Sequence, residues 1–221
     1  VVILTLGKRV KRIAIITVSL LLQACSANLT GMGKSLWNNV TGRDGVNLTD
    51  DEIHNMPYAS QYMTLNHGPQ LFVVLAFSED GQQKWVTQDQ AVLITQHGRL
   101  IKTTDLGDNL LQVGNLDADP LKAPGQIRDG VGWTRVMGWT EHQQVRYATA
   151  RSQFHWQGSD SLKTGSDITA VRVLEETVTT DRASWTNRYW IDSDGQIRRS
   201  EQTLGADYYP VTTQLIKAAK S

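Results

Sequence analysis

Two stretches bring tryptophan and arginine together: Trp133-Thr134-Arg135 with Trp139 and Arg146-Tyr147, and later Arg188-Tyr189-Trp190. Indole faces offer flat stacking area to sugar rings, and an arginine fork can pair with the carboxylate of an acidic sugar. Trp133, Arg135, Trp139, Arg146, Arg188 and Trp190 are therefore the candidate polysaccharide-binding residues. The plainer assignment is packing, with the tryptophans inside a sheet and arginine stems covering it. Arg135 and Arg146 can act together only if strand alternation puts them on one face.

Residue spacing gives other chemistry little support. The five histidines, His54, His67, His97, His142 and His155, contain no pair at close ligand spacing, so no metal is expected. A Ser-His-Asp arrangement needs no sequence proximity and stays open, although no nucleophile-elbow pattern accompanies it. Gly31-Met32-Gly33-Lys34-Ser35 has the end of a phosphate-binding loop, but Asn28 stands where the first glycine is required. Asp192-Ser193-Asp194-Gly195 begins like a calcium loop without its later acidic ligands, and reads as a hairpin turn. The expectation is a non-enzymatic protein with no catalytic residue and no cofactor.

Cys25 is the only cysteine among 221 residues. It follows a basic start, Lys8, Arg9, Lys11 and Arg12, and an apolar run from Ile13 to Leu22. That run is far shorter than the roughly 20 residues that span a bilayer, which is the layout of a secretory signal peptide. Leu22-Gln23-Ala24-Cys25 resembles the bacterial lipobox. The resemblance implies diacylglycerol on the sulfur, cleavage before Cys25 and acylation, typically by palmitate, of the new amino terminus. Two or three acyl chains anchor stably where one does not. Ser26, where Asp would retain the protein in the inner membrane, looks like the outer-membrane sorting signal.

Removing residues 1 to 24 takes four of the 22 basic side chains and none of the 22 acidic ones, leaving 18 against 22, a net charge of −4. No basic footprint for nucleic acid remains, and no nucleotide is expected as a partner. With a single, acylated cysteine there is no disulfide, so packing must stabilise a domain of this size.

The elements that would position these residues are strands. Residues 25 to 46 are rich in Asn, Gly, Ser and Thr and read as a lipidated tether, with space for a short amphipathic helix. Thr49-Asp50-Asp51-Glu52 has the capping-box form and predicts a short helix that stops at Pro57. From Tyr58 onward, β-type runs alternate with turn signals: 58–65, 70–77, 84–87, 91–96, 100–105, 133–140, 145–156, 168–179, 185–191, 196–204 and 208–216. Glu79-Asp80-Gly81, His97-Gly98, Glu141-His142-Gln143 and Ser193-Asp194-Gly195 read as hairpin turns. Asn115 to Gly130 is the longest irregular stretch and could divide the strands into two halves. Gln70 to Phe77 is apolar on both faces and predicts a central, doubly covered strand with Val74 inside it. The fold class is mostly β: an antiparallel curved sheet, sandwich or incomplete barrel, in one domain over residues 47–221.

Met56-Pro57-Tyr58-Ala59-Ser60, Gly68-Pro69-Gln70-Leu71-Phe72, Lys84-Trp85, Gly98-Arg99-Leu100, Asp119-Pro120-Leu121, Asp129-Gly130-Val131-Gly132-Trp133-Thr134-Arg135 and Leu204-Gly205-Ala206 together resemble the YjbF/GfcB family of exopolysaccharide and group 4 capsule lipoproteins. The resemblance implies a β-rich outer-membrane lipoprotein, lipid-anchored with its domain in the periplasm, and supplies no catalytic residue. Its partners would be polysaccharide or polysaccharide-secretion proteins. The expected role is to assist secretion or assembly of an extracellular polysaccharide by binding. The alternatives are a scaffold that never touches sugar, a carrier of lipid or lipid-linked glycan, and a polysaccharide-modifying enzyme.

Overall fold

The computed structural model describes residues 45–205, 208 and 210–219. The expected signal peptide, Cys25 and the expected tether up to residue 44 lie outside them. Twelve strands follow in chain order: β1 (Ser60–Leu65), β2 (Gln70–Glu79), β3 (Gln82–Val86), β4 (Val92–Gln96), β5 (Arg99–Thr104), β6 (Leu110–Val113), β7 (Val131–Glu141), β8 (Gln144–Thr164), β9 (Asp167–Thr179), β10 (Ser184–Ile191), β11 (Ile197–Thr203) and β12 (Pro210–Lys217). They form one antiparallel sheet in the order β5-β4-β3-β2-β1-β12-β11-β10-β9-β8-β7-β6.

The chain meanders from β1 out to β5, crosses to the far edge at β6, and meanders back until β12 pairs with β1. The two edges meet. The Leu110 amide donates to Thr103 Oγ1 at 3.0 Å, and the Thr103 hydroxyl donates to Asn109 Oδ1 at 3.1 Å, so side chains stitch the seam where a backbone ladder would close it. The product is a nearly closed barrel, the incomplete-barrel form of the expected fold. Closing a sheet removes the exposed edges that invite aggregation.

Local chemistry explains the strand ends. Asp80-Gly81, His97-Gly98 and His142-Gln143 each place both central residues at positive φ, the mirror-image turn whose twist matches paired strands. A Cβ on Gly98 would also lie 2.6 Å from the Ile197 side chain, so this turn packs against β11. Asp192 accepts from the amides of Asp194 and Gln196, which makes 192–196 the expected hairpin turn.

Helix α1 (Asp50–Asn55) carries the capping box: the Thr49 amide donates to Glu52 Oε2 at 2.8 Å, and the Glu52 amide donates to Thr49 Oγ1 at 3.4 Å. The helix ends at extended Met56, before Pro57. Just upstream, Val46 is buried, its amide donating to the Gln70 carbonyl at 2.8 Å.

Four features differ from the sequence reading. β6 lies in a run broken by Asn and Gly, too short for alternation to reveal it. β8 continues past Trp156 to Thr164, through the mostly polar Gln157–Thr164 segment in which Leu162 is the one large apolar residue. A register shift at Gly158, at φ 123°, lets this arm bend. Leu162, Val171 and Trp190 form a small second core, with Val173 packed against it. The arm's tip is tied down: the Ser166 backbone amide donates to Asp50 Oδ1 and the Gln214 side-chain Nε2 to the Lys163 carbonyl, both at 2.8 Å.

The third difference concerns β2. It lies between β1 and β3 and is covered on both faces at Phe72 and Val73, but Val74 is only half-buried and Phe77 is 54 % exposed. Val73 is the core residue. Residues 115–130 do not divide the strands into two sheets; they form three short 3-10 turns, Leu116–Ala118, Pro120–Lys122 and Pro124–Gln126.

Candidate functional site

Side chains facing inward recur at every second residue, as a strand requires. From β7 these are Trp133, Arg135, Met137 and Trp139; from β9, Leu174, Glu176 and Val178; from β10, Asn187, Tyr189 and Ile191. Four charged groups are therefore enclosed. Arg99, at the start of β5, donates from Nε and Nη2 to the two carboxylate oxygens of Asp119, a bidentate pair. Asp119 arrives on the irregular segment between β6 and β7, where its Oδ1 also accepts from the Leu121 amide at 3.0 Å.

Glu176 is the centre of the network, with 0 % exposure. Its Oε2 accepts from Arg99 Nη1 at 2.9 Å, the Tyr189 hydroxyl at 2.8 Å and Asn187 Nδ2 at 3.0 Å. Its Oε1 accepts from the Ser152 hydroxyl at 2.6 Å, with Arg135 Nη1 at 3.1 Å. Both guanidinium groups stack on Trp133, Arg99 at 4.4 Å and Arg135 at 4.2 Å from a ring centroid. Two cations thus meet two anions, and the buried set is neutral.

The electrostatics follow from this geometry. Burial alone would push the Glu176 carboxyl up, but Arg99 and then Arg135 hold it well below the usual carboxylate range. Burial would lower Arg99, yet Glu176 beside it keeps the guanidinium charged. Burial, the largest effect on Arg135, leaves it somewhat below the ordinary value, and burial raises the Tyr189 phenol well above its own. Tyr189 therefore stays a proton donor to an ionised Glu176.

A general acid or base must reach its substrate and titrate near the working pH. Glu176 does neither: its acceptor sites are filled and it is sealed from solvent. Only about 10 Å³ of space remains between Arg99, Leu110, Arg135, Asn187 and Gln202, room for one water at most. Side chains fill the barrel here. The larger space lies at one end, where the β2–β3, β4–β5 and β10–β11 turns surround an open cleft of about 440 Å³. Gln61, Trp85, Thr95, Thr213 and Leu215 line its depth, and His97, Lys122, Asp194 and Arg198 stand around it.

The six polysaccharide candidates do not share a surface. Trp133, Arg135 and Trp139 are buried and turned inward. Arg146 pairs with Glu141 at 2.8 Å and Arg188 with Glu175 at 3.2 Å, both partly exposed. Trp190 belongs to the second core, its indole N–H donating to Asp160 Oδ2 at 3.0 Å beneath Arg199. A Cβ on Gly205 would fall 2.7 Å from the Trp139 ring, so that indole is wedged against the backbone. Arg146 lies opposite Trp139 in the β7–β8 ladder and so shares Arg135's face of the sheet, but Arg135 is sealed inside while Arg146 sits at the partly exposed end of the strand pair, held by Glu141. Among the described residues, no cluster of three or more His, Cys, Asp or Glu is placed to hold a metal ion.

The architecture defines a class: a filled, nearly closed antiparallel barrel whose interior is locked by ion pairs. The chain belongs to the family described as group 4 capsule polysaccharide lipoprotein gfcB, YjbF, which it matches over residues 33–216. It is 70 % identical over 210 residues to the uncharacterized lipoprotein YjbF of Escherichia coli K12, covering 95 % of this chain and 99 % of that protein. The uncharacterized lipoprotein GfcB of the same strain is 37 % identical over 204 residues, covering 91 % and 95 %. The crystal structure of the hypothetical lipoprotein YmcC from Escherichia coli K12 superposes with a TM-score of 0.79 at 37 % identity, covering 89 % of this chain and 98 % of that one.

Proposed function

We propose that this protein is acylated at Cys25, anchored in the outer membrane with its barrel in the periplasm, and assists assembly or secretion of a capsular or extracellular polysaccharide by binding, without catalysing a reaction. The observation that carries the non-catalytic reading is the sealing of Glu176 and Asp119 among packed side chains, with about 10 Å³ of space left beside Arg99 and Arg135. The same filling weighs against a carrier of acyl chains, since the large cleft is open and lined by polar as well as apolar groups. The family name, group 4 capsule polysaccharide lipoprotein, supports the polysaccharide connection.

The anchor is tested by Cys25→Ser. The thiol is the lipid acceptor and acylation precedes cleavage, so the variant should accumulate as an uncleaved precursor without lipid mass. Intact mass spectrometry of the membrane fraction reads both outcomes, and cells carrying the variant should release or display less polymer than wild type. A wild-type mature chain that begins elsewhere than Cys25, or that lacks acyl mass, would remove the lipoprotein part of the proposal.

A further inference from the structure

The cleft at the barrel end contains an unusual group. Gln61 is only 6 % exposed, yet its amide nitrogen has no hydrogen-bond partner. It lies on β1 between Val73 of β2 and Leu215 of β12, its register partners, so the neighbouring strands offer apolar side chains there. Burying an amide donor without an acceptor costs about 1–3 kcal/mol, and a leucine of similar volume would avoid that cost. Gln61 lines the cleft with this donor just behind the wall, so a rotation of its side chain would bring the amide to an acceptor entering from solvent.

The rest of the cleft fits a hydroxyl-rich ligand. Its volume of about 440 Å³ falls within the range of small-ligand sites. Thr95 and Thr213, whose hydroxyls already pair with the Trp85 indole N–H and with Ser200 Oγ, add polar atoms beside the apolar surfaces of Trp85 and Leu215, a mixed lining suited to sugar rings. Lys122 is exposed at the cleft and, among the described residues, has no carboxylate within ion-pair distance. Arg198, also in the lining, donates to Gln196 Oε1 at 2.9 Å and approaches Asp192 at 3.9 Å.

We infer that this cleft is the polysaccharide-contacting site, binding a short segment of an acidic glycan, with the Gln61 amide donating to a sugar oxygen at depth and Lys122 facing a sugar carboxylate. This rests on the reading that the domain binds polymer, and it moves the contact from the buried tryptophan and arginine set to the barrel end. Binding here would leave the interior ion network untouched.

The test uses the full-length acylated protein in detergent micelles. The probes are oligosaccharides of roughly four sugar units, a length suited to a site of this size, released by mild acid from the producing cell's own surface polysaccharide. They are used before and after chemical reduction of their carboxyl groups. Hydrogen exchange read by mass spectrometry should show protection in the segments around Ser78–Trp85 and Asp194–Arg198. Gln61→Leu should weaken binding about tenfold, the equivalent of one hydrogen bond, while melting no lower than wild type. Lys122→Gln, a change at an exposed position, should weaken binding of the acidic probe and leave the carboxyl-reduced probe unaffected. Protection confined to another surface would overturn the cleft assignment and keep the polymer-binding reading; no protection anywhere by either probe would overturn both. Wild-type affinity in Gln61→Leu and Lys122→Gln would also sink the cleft assignment.

Discussion

Replacing Arg99 by Met is expected to cost about 3–5 kcal/mol of folding stability, because it strands buried carboxylates without their partner. Asp119 loses its bidentate cation, and Glu176 loses one of its two. The sign does not depend on how strong the intact pairs are. Forming a buried ion pair roughly balances desolvation against attraction, whereas removing one member leaves the desolvation cost uncompensated. Since domains have only about 5–15 kcal/mol to lose, the variant should be partly unfolded under mild conditions. Urea unfolding followed by tryptophan fluorescence measures this directly. A loss under about 1 kcal/mol, within the range of exposed ion pairs, would mean that the network is not closed as described.

Val73→Asp should be still more disruptive. Val73 has 0 % exposure and faces the core, so a carboxylate there has neither water nor a counter-ion. The neighbouring Val74 points the other way and is half-buried, so Val74→Asp can rotate its charge toward solvent. The expected outcome is a chain that fails to accumulate for Val73→Asp and a folded, moderately destabilised one for Val74→Asp. Thermal melting of the two variants side by side decides it. Equal melting temperatures would show that β2 does not have one inward face.

Much of this barrel is legible in the sequence because its determinants are local. Period-two patterns and turn pairs such as Asp80-Gly81 and His97-Gly98 mark every strand except β6, and Thr49 with Glu52 marks the helix. The alternation from Trp133 to Trp139 puts Trp133, Arg135, Met137 and Trp139 on one face. It does not say that this face is the inside, because arginine on a core face is rare unless paired.

The pairing is what local patterns cannot reveal. Arg99 and Asp119 are 20 residues apart, and Arg99 and Glu176 are 77 apart. One signal was available: in Glu175-Glu176 two adjacent acids occupy a strand with one wet face, so one of them must point inward. Glu175 meets Arg188 at the surface and Glu176 is the sealed one. Asp119 had no such signal, since it reaches the interior from an irregular segment. The extension of β8 beyond Trp156 was hidden for a different reason. Its polar residues join the sheet through the partner strand and the tied tip, and alternation of its own plays little part.

The central claim is that the buried acids are structural counter-ions and that the protein acts by binding. The folded-state value of Glu176 lies below the ordinary 4.5. Its stabilising contribution is therefore complete above that pH and is lost as the pH falls from there toward the folded value. The most direct measurement is a nuclear magnetic resonance titration of the protein labelled with carboxyl-¹³C glutamate, with the Glu176 signal assigned by its disappearance in Glu176→Gln. The expected result is a carboxylate that stays ionised from neutral pH down to the onset of acid unfolding. A midpoint near neutrality, the property of a working general acid or base, would contradict the account and make the interior a catalytic site.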